Sequence, residues 1–143
     1  ESLYVTEGKL TIATGEPAYF PYVIDDDPTT GEGFEAAVAY AIAEELGFAP
    51  EDVVWVRTSF EAAIQPGPKD FDFNLQQYTI TEERAENVDF SSPYYATPQA
   101  VITVESSPAA SATSLAELSD FLVGAATGTT SFTAIEEQIA PTA

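Results

Sequence analysis

The sequence contains no cysteine, no histidine and no methionine, and only four basic residues stand against 24 acidic ones in 143 positions. Without Cys or His there are no disulfides, no thiol nucleophile, no Ser-His-Asp triad and none of the usual zinc ligands. The formal charge of −20 argues against nucleic acid and anionic membrane surfaces as partners, because both would be repelled. No apolar stretch approaches the ~18 residues of a membrane span, and no basic-plus-apolar leader opens the chain. Glu1-Ser2-Leu3 reads either as an engineered start or as a processed one, and a processed start leaves room for a leader or lipid-anchoring cysteine ahead of it. What is present suffices for a core: 45% of the residues are hydrophobic and 12% aromatic. The length suits one compact domain rather than two of ~100–200 residues each. An acidic excess keeps a protein soluble and suits a high-salt or exposed setting, and a generally acidic proteome accounts for it equally well.

Lys9 to Thr14 alternates with β-branched residues and predicts a first strand. Gly15 to Gly33 is turn-rich, with Pro17, Pro21, Pro28 and the run Asp25-Asp26-Asp27, yet Tyr19, Phe20 and Tyr22 interrupt it. That acidic run lacks the glycine and distal glutamate of an EF-hand loop, so it is read as a solvated loop; no metal and no cofactor are expected. Phe34, Val38, Ala41, Ile42 and Leu46 recur at three- and four-residue steps, predicting an amphipathic helix that ends at Gly47. Val53 to Val56 is a short apolar run, as for a strand covered on both faces, with Trp55 assigned to the core. Ser59 caps a predicted helix through Ile64, stopped by Pro66-Gly67-Pro68. Phe71, Phe73 and Leu75 alternate with Asp72, Asn74 and Gln76 in a third strand with one polar face, and Thr81 then caps a short helix.

Strand–helix–strand–helix–strand predicts an α/β fold, a mostly parallel sheet with helices on its faces. After Pro93-Tyr94-Tyr95 the character changes. Gln99 to Val104 is an extended apolar run and Ser106 to Ser114 a small-residue loop. A short helix over 115–121, a strand over 122–126 and a helix over 130–139 follow. This second α/β unit stops after two strands, too few residues for a core of its own. The chain is therefore read as cut short, with an exposed sheet edge open to self-association.

The segment Thr79-Ile80-Thr81-Glu82-Glu83-Arg84-Ala85-Glu86-Asn87-Val88-Asp89-Phe90-Ser91-Ser92-Pro93-Tyr94-Tyr95 resembles the family 3 extracellular solute-binding proteins, the amino-acid receptors of ABC importers. Three more segments fit in order: the first strand with Tyr19-Phe20-Pro21-Tyr22, then Gly33-Phe34-Glu35, then Gly124 to Thr130. The resemblance implies the type 2 periplasmic-binding-protein fold, two α/β lobes that close over a ligand. Lobe 1 then spans residues 1–98, a hinge strand 99–104, and the start of an incomplete lobe 2 residues 105–143. In relatives the acid that pairs with the ligand's α-ammonium usually comes from a later stretch than this chain contains.

The same resemblance assigns site residues. Arg84 takes the ligand α-carboxylate, its planar fork suiting bidentate contact; from the residues alone, a surface salt bridge to Glu82, Glu86 or Asp89 is the plainer reading. Thr79 and Gln77 sit on the turn at the carboxyl end of the third strand, where open α/β sheets bind ligands, though either also serves as an ordinary turn residue. Thr129 and Thr130, at a strand-to-helix junction, grip the same carboxylate or simply cap the helix. Tyr19 and Phe60 match positions that pack around the ligand side chain. Glu16 falls near an acid used for polar or basic ligands, in uncertain register.

The implied function is non-catalytic: an extracytoplasmic, periplasmic or lipoprotein component that captures an L-amino acid, polar or basic favoured, and delivers it to an ABC permease. The fold also hosts ligand-sensing domains of receptors and cyclohexadienyl dehydratase-like enzymes, which remain the alternatives.

Overall fold

The computed structural model describes residues 3–142. The expected engineered or processed start falls on Glu1 and Ser2, outside the described residues. Two compact units result, Glu1–Ser91 and Ser92–Ala143.

In the first unit, strands β1 (Leu10–Gly15), β2 (Val53–Thr58) and β3 (Phe73–Asn74) form a parallel sheet in the order β2-β1-β3. All six residues of β1 are buried, because it is the central strand. Its register pairs Leu10 with Val53 through Gly15 with Thr58 on one side, and Ile12 with Phe73 on the other. β2 departs from the expected strand covered on both faces. It lies at the edge of the sheet, only half-buried, with Val54 exposed. Trp55 flanks the core rather than filling it, and its indole N–H donates to the Tyr40 hydroxyl at 3.3 Å. β3 is shorter than predicted. The Asp72 carboxylate, not a backbone carbonyl, accepts the Thr11 N–H at 2.7 Å and the Val5 N–H at 2.8 Å, so a side chain takes ladder positions at its start.

Helix α1 (Phe34–Glu45) forms where expected, with Gly47 at positive φ just beyond its end. Its buried face differs from the one that size predicts. Ala36, Ala39 and Ala43 are buried together with Glu35, while Phe34 and Leu46 are exposed and Val38 only borders the core. Small side chains let the helix backbone approach Leu10, Ile12 and Leu75 closely, and close packing outweighs the area that a larger residue would bury. The first N–H groups of α1, orphaned in any helix, reach back to the preceding loop. Phe34 N–H donates to Pro21 O at 3.1 Å and Glu35 N–H to Tyr22 O at 3.0 Å.

That loop is tied down at a second place, so the expectation of a merely solvated acidic run needs correcting. Asp26 accepts the Ala18 N–H at 2.7 Å and pairs with the Arg57 guanidinium, whose Nε–H donates to Gly15 O at 2.8 Å. The Ala18 N–H first, and then Arg57, hold the Asp26 carboxyl below its ordinary pKa. Asp27 caps the next turn by accepting from Thr29 N–H at 3.0 Å. Helix α2 (Phe60–Ile64) starts on the predicted cap, Ser59 Oγ accepting Ala62 N–H at 3.2 Å. Helix α3 (Glu82–Ala85) likewise starts on Thr81.

In the second unit, a 3-10 turn over Ala116–Leu118 stands in for the predicted helix. Helix α4 (Thr130–Ala134) continues into a π-helical turn over Ile135–Ile139. Neither 99–104 nor 122–126 joins a ladder among the described residues, and Ile102 and Leu122 are each 91% exposed. Both runs have strand composition, but a strand exists only through backbone partners remote in sequence, and an isolated one is not stable in water.

Candidate functional site

Parallel strands leave the sheet at one edge, so the loop after Gly15, the Ser59–Phe60 helix start and the Gln77–Thr79 turn all emerge there. This is the edge at which open α/β sheets bind ligands. Gly15 keeps this edge close-set: a Cβ there would lie 2.9 Å from Gln76 Nε2 and 3.0 Å from Pro17 O.

Arg84 is the centre of a tight cluster. It is 8% exposed, its Nη1–H donates to Thr79 O at 2.8 Å, and its guanidinium carbon lies 5.3 Å from the Phe60 ring centroid and 5.7 Å from that of Tyr78. The two rings stack at 4.3 Å with an interplanar angle of 29°. A cation over two ring faces is attracted by their quadrupoles, by about 0.5–2 kcal/mol per ring depending on desolvation. Burial lowers the pKa of Arg84, while the Tyr78 and Glu83 charges raise it; arginine remains protonated throughout the accessible range. The same burial raises the pKa of Tyr78 well above the ordinary phenol value.

The polar face of β3 continues into this cluster. Asn74 Nδ2 donates to Gln76 Oε1 at 3.3 Å. The Tyr78 hydroxyl donates to Phe60 O at 2.6 Å and lies 3.4 Å from Gln76 Oε1. Because the neutral phenol is stabilised by the fold, Tyr78's contribution is complete below the unfolded pKa of ~10 and declines as pH rises from there toward the higher folded value. An alkaline titration followed by tyrosinate absorbance should show a late-ionising tyrosine, and Tyr78→Phe should remove that late step.

Gln77 has φ +52, a left-handed conformation costing a non-glycine residue about 1–2 kcal/mol. Its N–H donates to Glu35 Oε1 at 2.8 Å, and its side-chain amide donates to Glu35 Oε2. Hydrogen bonds to a charged group are worth about 1.5–3 kcal/mol each, so this pair outweighs the strain. The Gln77 side chain expected at a ligand is thus turned toward α1.

Among the other expected residues, Tyr19 is exposed and its carbonyl accepts Tyr22 N–H at 2.9 Å, while Glu16 is exposed on the loop after β1. In the second unit, Thr129 caps α4, accepting Phe132 N–H at 3.3 Å and donating to Ala126 O at 2.7 Å. Thr130 Oγ1 accepts from Gln99 Nε2 at 3.1 Å, and Ser131 Oγ donates to Gln99 Oε1 at 2.7 Å. Sequence reasoning missed Tyr78, Glu35 and Gln99. Tyr78, lying between two residues already singled out, carried a usable signal; the other two depend on pairings 42 and 31 or 32 positions away.

The profile of the bacterial extracellular solute-binding proteins, family 3, matches residues 10–139. The chain belongs to that family. Its mixed α/β architecture with a parallel sheet is accordingly part of a type 2 periplasmic-binding-protein fold. Among curated relatives, it is 32% identical to a probable amino-acid ABC transporter periplasmic-binding protein of Sinorhizobium fredii, over 71% of this chain and 33% of that protein. It is 34% identical to a probable histidine-binding protein of Campylobacter jejuni, over 60% of this chain and 33% of that protein. It is 33% identical to an L-arginine-binding protein of Pseudomonas aeruginosa, over 63% and 34%. The matches thus cover about a third of each curated relative's length. All three relatives are named as binding proteins, not as enzymes. No solved structure matches the chain significantly.

Proposed function

We propose that this family member binds an L-amino acid, polar or basic, as the extracytoplasmic substrate-binding part of an ABC importer. The observation that carries this reading is Arg84, a nearly buried guanidinium backed by Phe60 and Tyr78 and anchored on Thr79 O at the ligand-binding edge of the sheet. A guanidinium fork matches a carboxylate bidentately, and removal from water strengthens each bond. In this reading Arg84 and Thr79 take the α-carboxylate, Phe60 and Tyr19 pack on the ligand side chain, and Glu16 faces its polar end. Gln77, its amide groups given to Glu35, serves by shaping the turn.

Residues 1–98 are read as lobe 1, 99–104 as the hinge and 105–143 as the start of lobe 2, whose Thr129 and Thr130 are the carboxylate-binding candidates of that lobe. A polar or basic ligand is supported by the names of the histidine- and arginine-binding relatives and by the acidic field of the chain. Delivery to a membrane permease rests on the ABC transporter relative. The chemistry is capture and release, without catalysis.

A thermal-shift screen of this chain against the twenty L-amino acids tests the reading. A ligand at ten times its Kd adds about 1.4 kcal/mol of stability, worth several degrees in Tm. The expected result is a rise confined to one class, histidine or arginine and their polar neighbours, and absent with the corresponding amino-acid amides. A flat response to all twenty at millimolar concentration would refute amino-acid binding by this chain.

A further inference from the structure

Glu35 is a carboxylate with 1% of its surface exposed, and the ligand-binding reading leaves it without a task. Burying such a group is costly unless its partners repay it. The partners seen here are the backbone N–H and side-chain amide of Gln77, 42 positions away on the turn that follows β3. We propose that Glu35 is a positioning residue: from the first turn of α1 it holds residue 77 in its left-handed conformation and so sets the Tyr78–Thr79 turn beneath Arg84.

Consecutive residues transmit the constraint. Gln77 sits at φ +52, which a non-glycine residue leaves unless it is held. The next residue, Tyr78, stacks on Phe60, and the one after it, Thr79, gives its carbonyl to Arg84 at 2.8 Å. Rotation of residue 77 back to the right-handed region would swing both neighbours away from the guanidinium. Glu35 is itself held from behind, its own N–H bonded to Tyr22 O at 3.0 Å. The loop bearing Tyr19 and the turn bearing Thr79 are thereby fastened to the same helix start.

The test separates positioning from plain core support. Glu35→Ala should lower amino-acid affinity about tenfold or more, move the residue-77 amide proton upfield as its charged acceptor is lost, and shift the Arg84 Nε–H resonance. Adding Gln77→Gly to Glu35→Ala should then recover most of the lost affinity, because glycine adopts positive φ unaided, while Tm stays low. Loss of affinity without that recovery, or residue-77 and Arg84 resonances unchanged by Glu35→Ala, would overturn the proposal. Should Glu35→Ala fail to fold, the isosteric Glu35→Gln is read through the same two resonances. The affinity arm rests on the amino-acid-binding reading and the resonance arm does not. If the unaltered chain binds no amino acid, that reading fails alone and the resonances decide the role of Glu35.

Discussion

Replacing Arg84 with alanine is expected to weaken amino-acid binding by at least a hundredfold, measured by isothermal titration calorimetry. Two charge-assisted bonds of about 1.5–3 kcal/mol each amount to roughly two to four decades in Kd. Arg84→Lys should fall between the two, since an ammonium keeps the charge but loses the planar fork. The variants also separate binding from packing. The Arg84 side chain lies against both Phe60 and Tyr78, so alanine should lower Tm as well, whereas lysine keeps much of the aliphatic contact. An Arg84→Lys protein with near-normal Tm and clearly reduced affinity would place the effect in ligand recognition. An Arg84→Ala protein that binds within a few fold of the original would remove Arg84 from the site.

The second large effect is expected at Gly33, immediately before α1. Its φ of +105 lies in a region that side chains rarely adopt, and a Cβ there would sit 2.5 Å from Tyr22 O, 2.7 Å from Tyr22 C and 2.8 Å from Val23 Cα. The neighbours are backbone atoms and cannot rotate away. Backbone strain of about 1–3 kcal/mol adds to the clash, so Gly33→Ala should cost roughly 3–5 kcal/mol in chemical denaturation, among the largest losses a single substitution produces. Relief by moving the loop would break the Pro21 and Tyr22 carbonyl bonds to the start of α1. Gly47 offers a contrast: it also has positive φ, but nothing lies within 4 Å of its would-be Cβ. Gly47→Ala should therefore cost only the strain. Equal losses at the two positions would show that the close approach at Gly33 is unimportant.

The elements readable from sequence are those whose causes are local. β1, α1, β2 and α2 follow from periodicity, from Ser59 as a cap and from glycines and prolines as stops, all visible within a few residues. The buried face of α1 was not readable in that way. Periodicity weights large apolar residues, whereas Ala39 and Ala43 face the sheet, and Ala36 the loop residues Ala18 and Val23, because closeness matters more there than size. The 99–104 and 122–126 runs show the opposite failure, since strand composition says nothing about whether a neighbour is present. At the candidate site, Arg84, Phe60 and Thr79 were reached through motif resemblance, and the structure brings these three together. Glu35 is invisible at that level, because an acid in the first turn of a helix is so ordinary that nothing marks it as buried.

The four cations of the chain are all engaged within it. Lys9 bonds Asp52 at 2.7 Å, Lys69 donates to Ala62 O at 3.1 Å, Arg57 holds the loop after β1, and Arg84 sits in its aromatic cluster. The outward face of the molecule is consequently a field of almost one sign. For an approaching solute that field acts on the encounter rate rather than on the final contacts: cations are drawn in and anions slowed, and the difference fades as ionic strength shortens the screening length to about 8 Å at physiological salt. A dilute medium and a saline one would thus present the same binding groups to the same ligands but sort those ligands differently by speed of arrival.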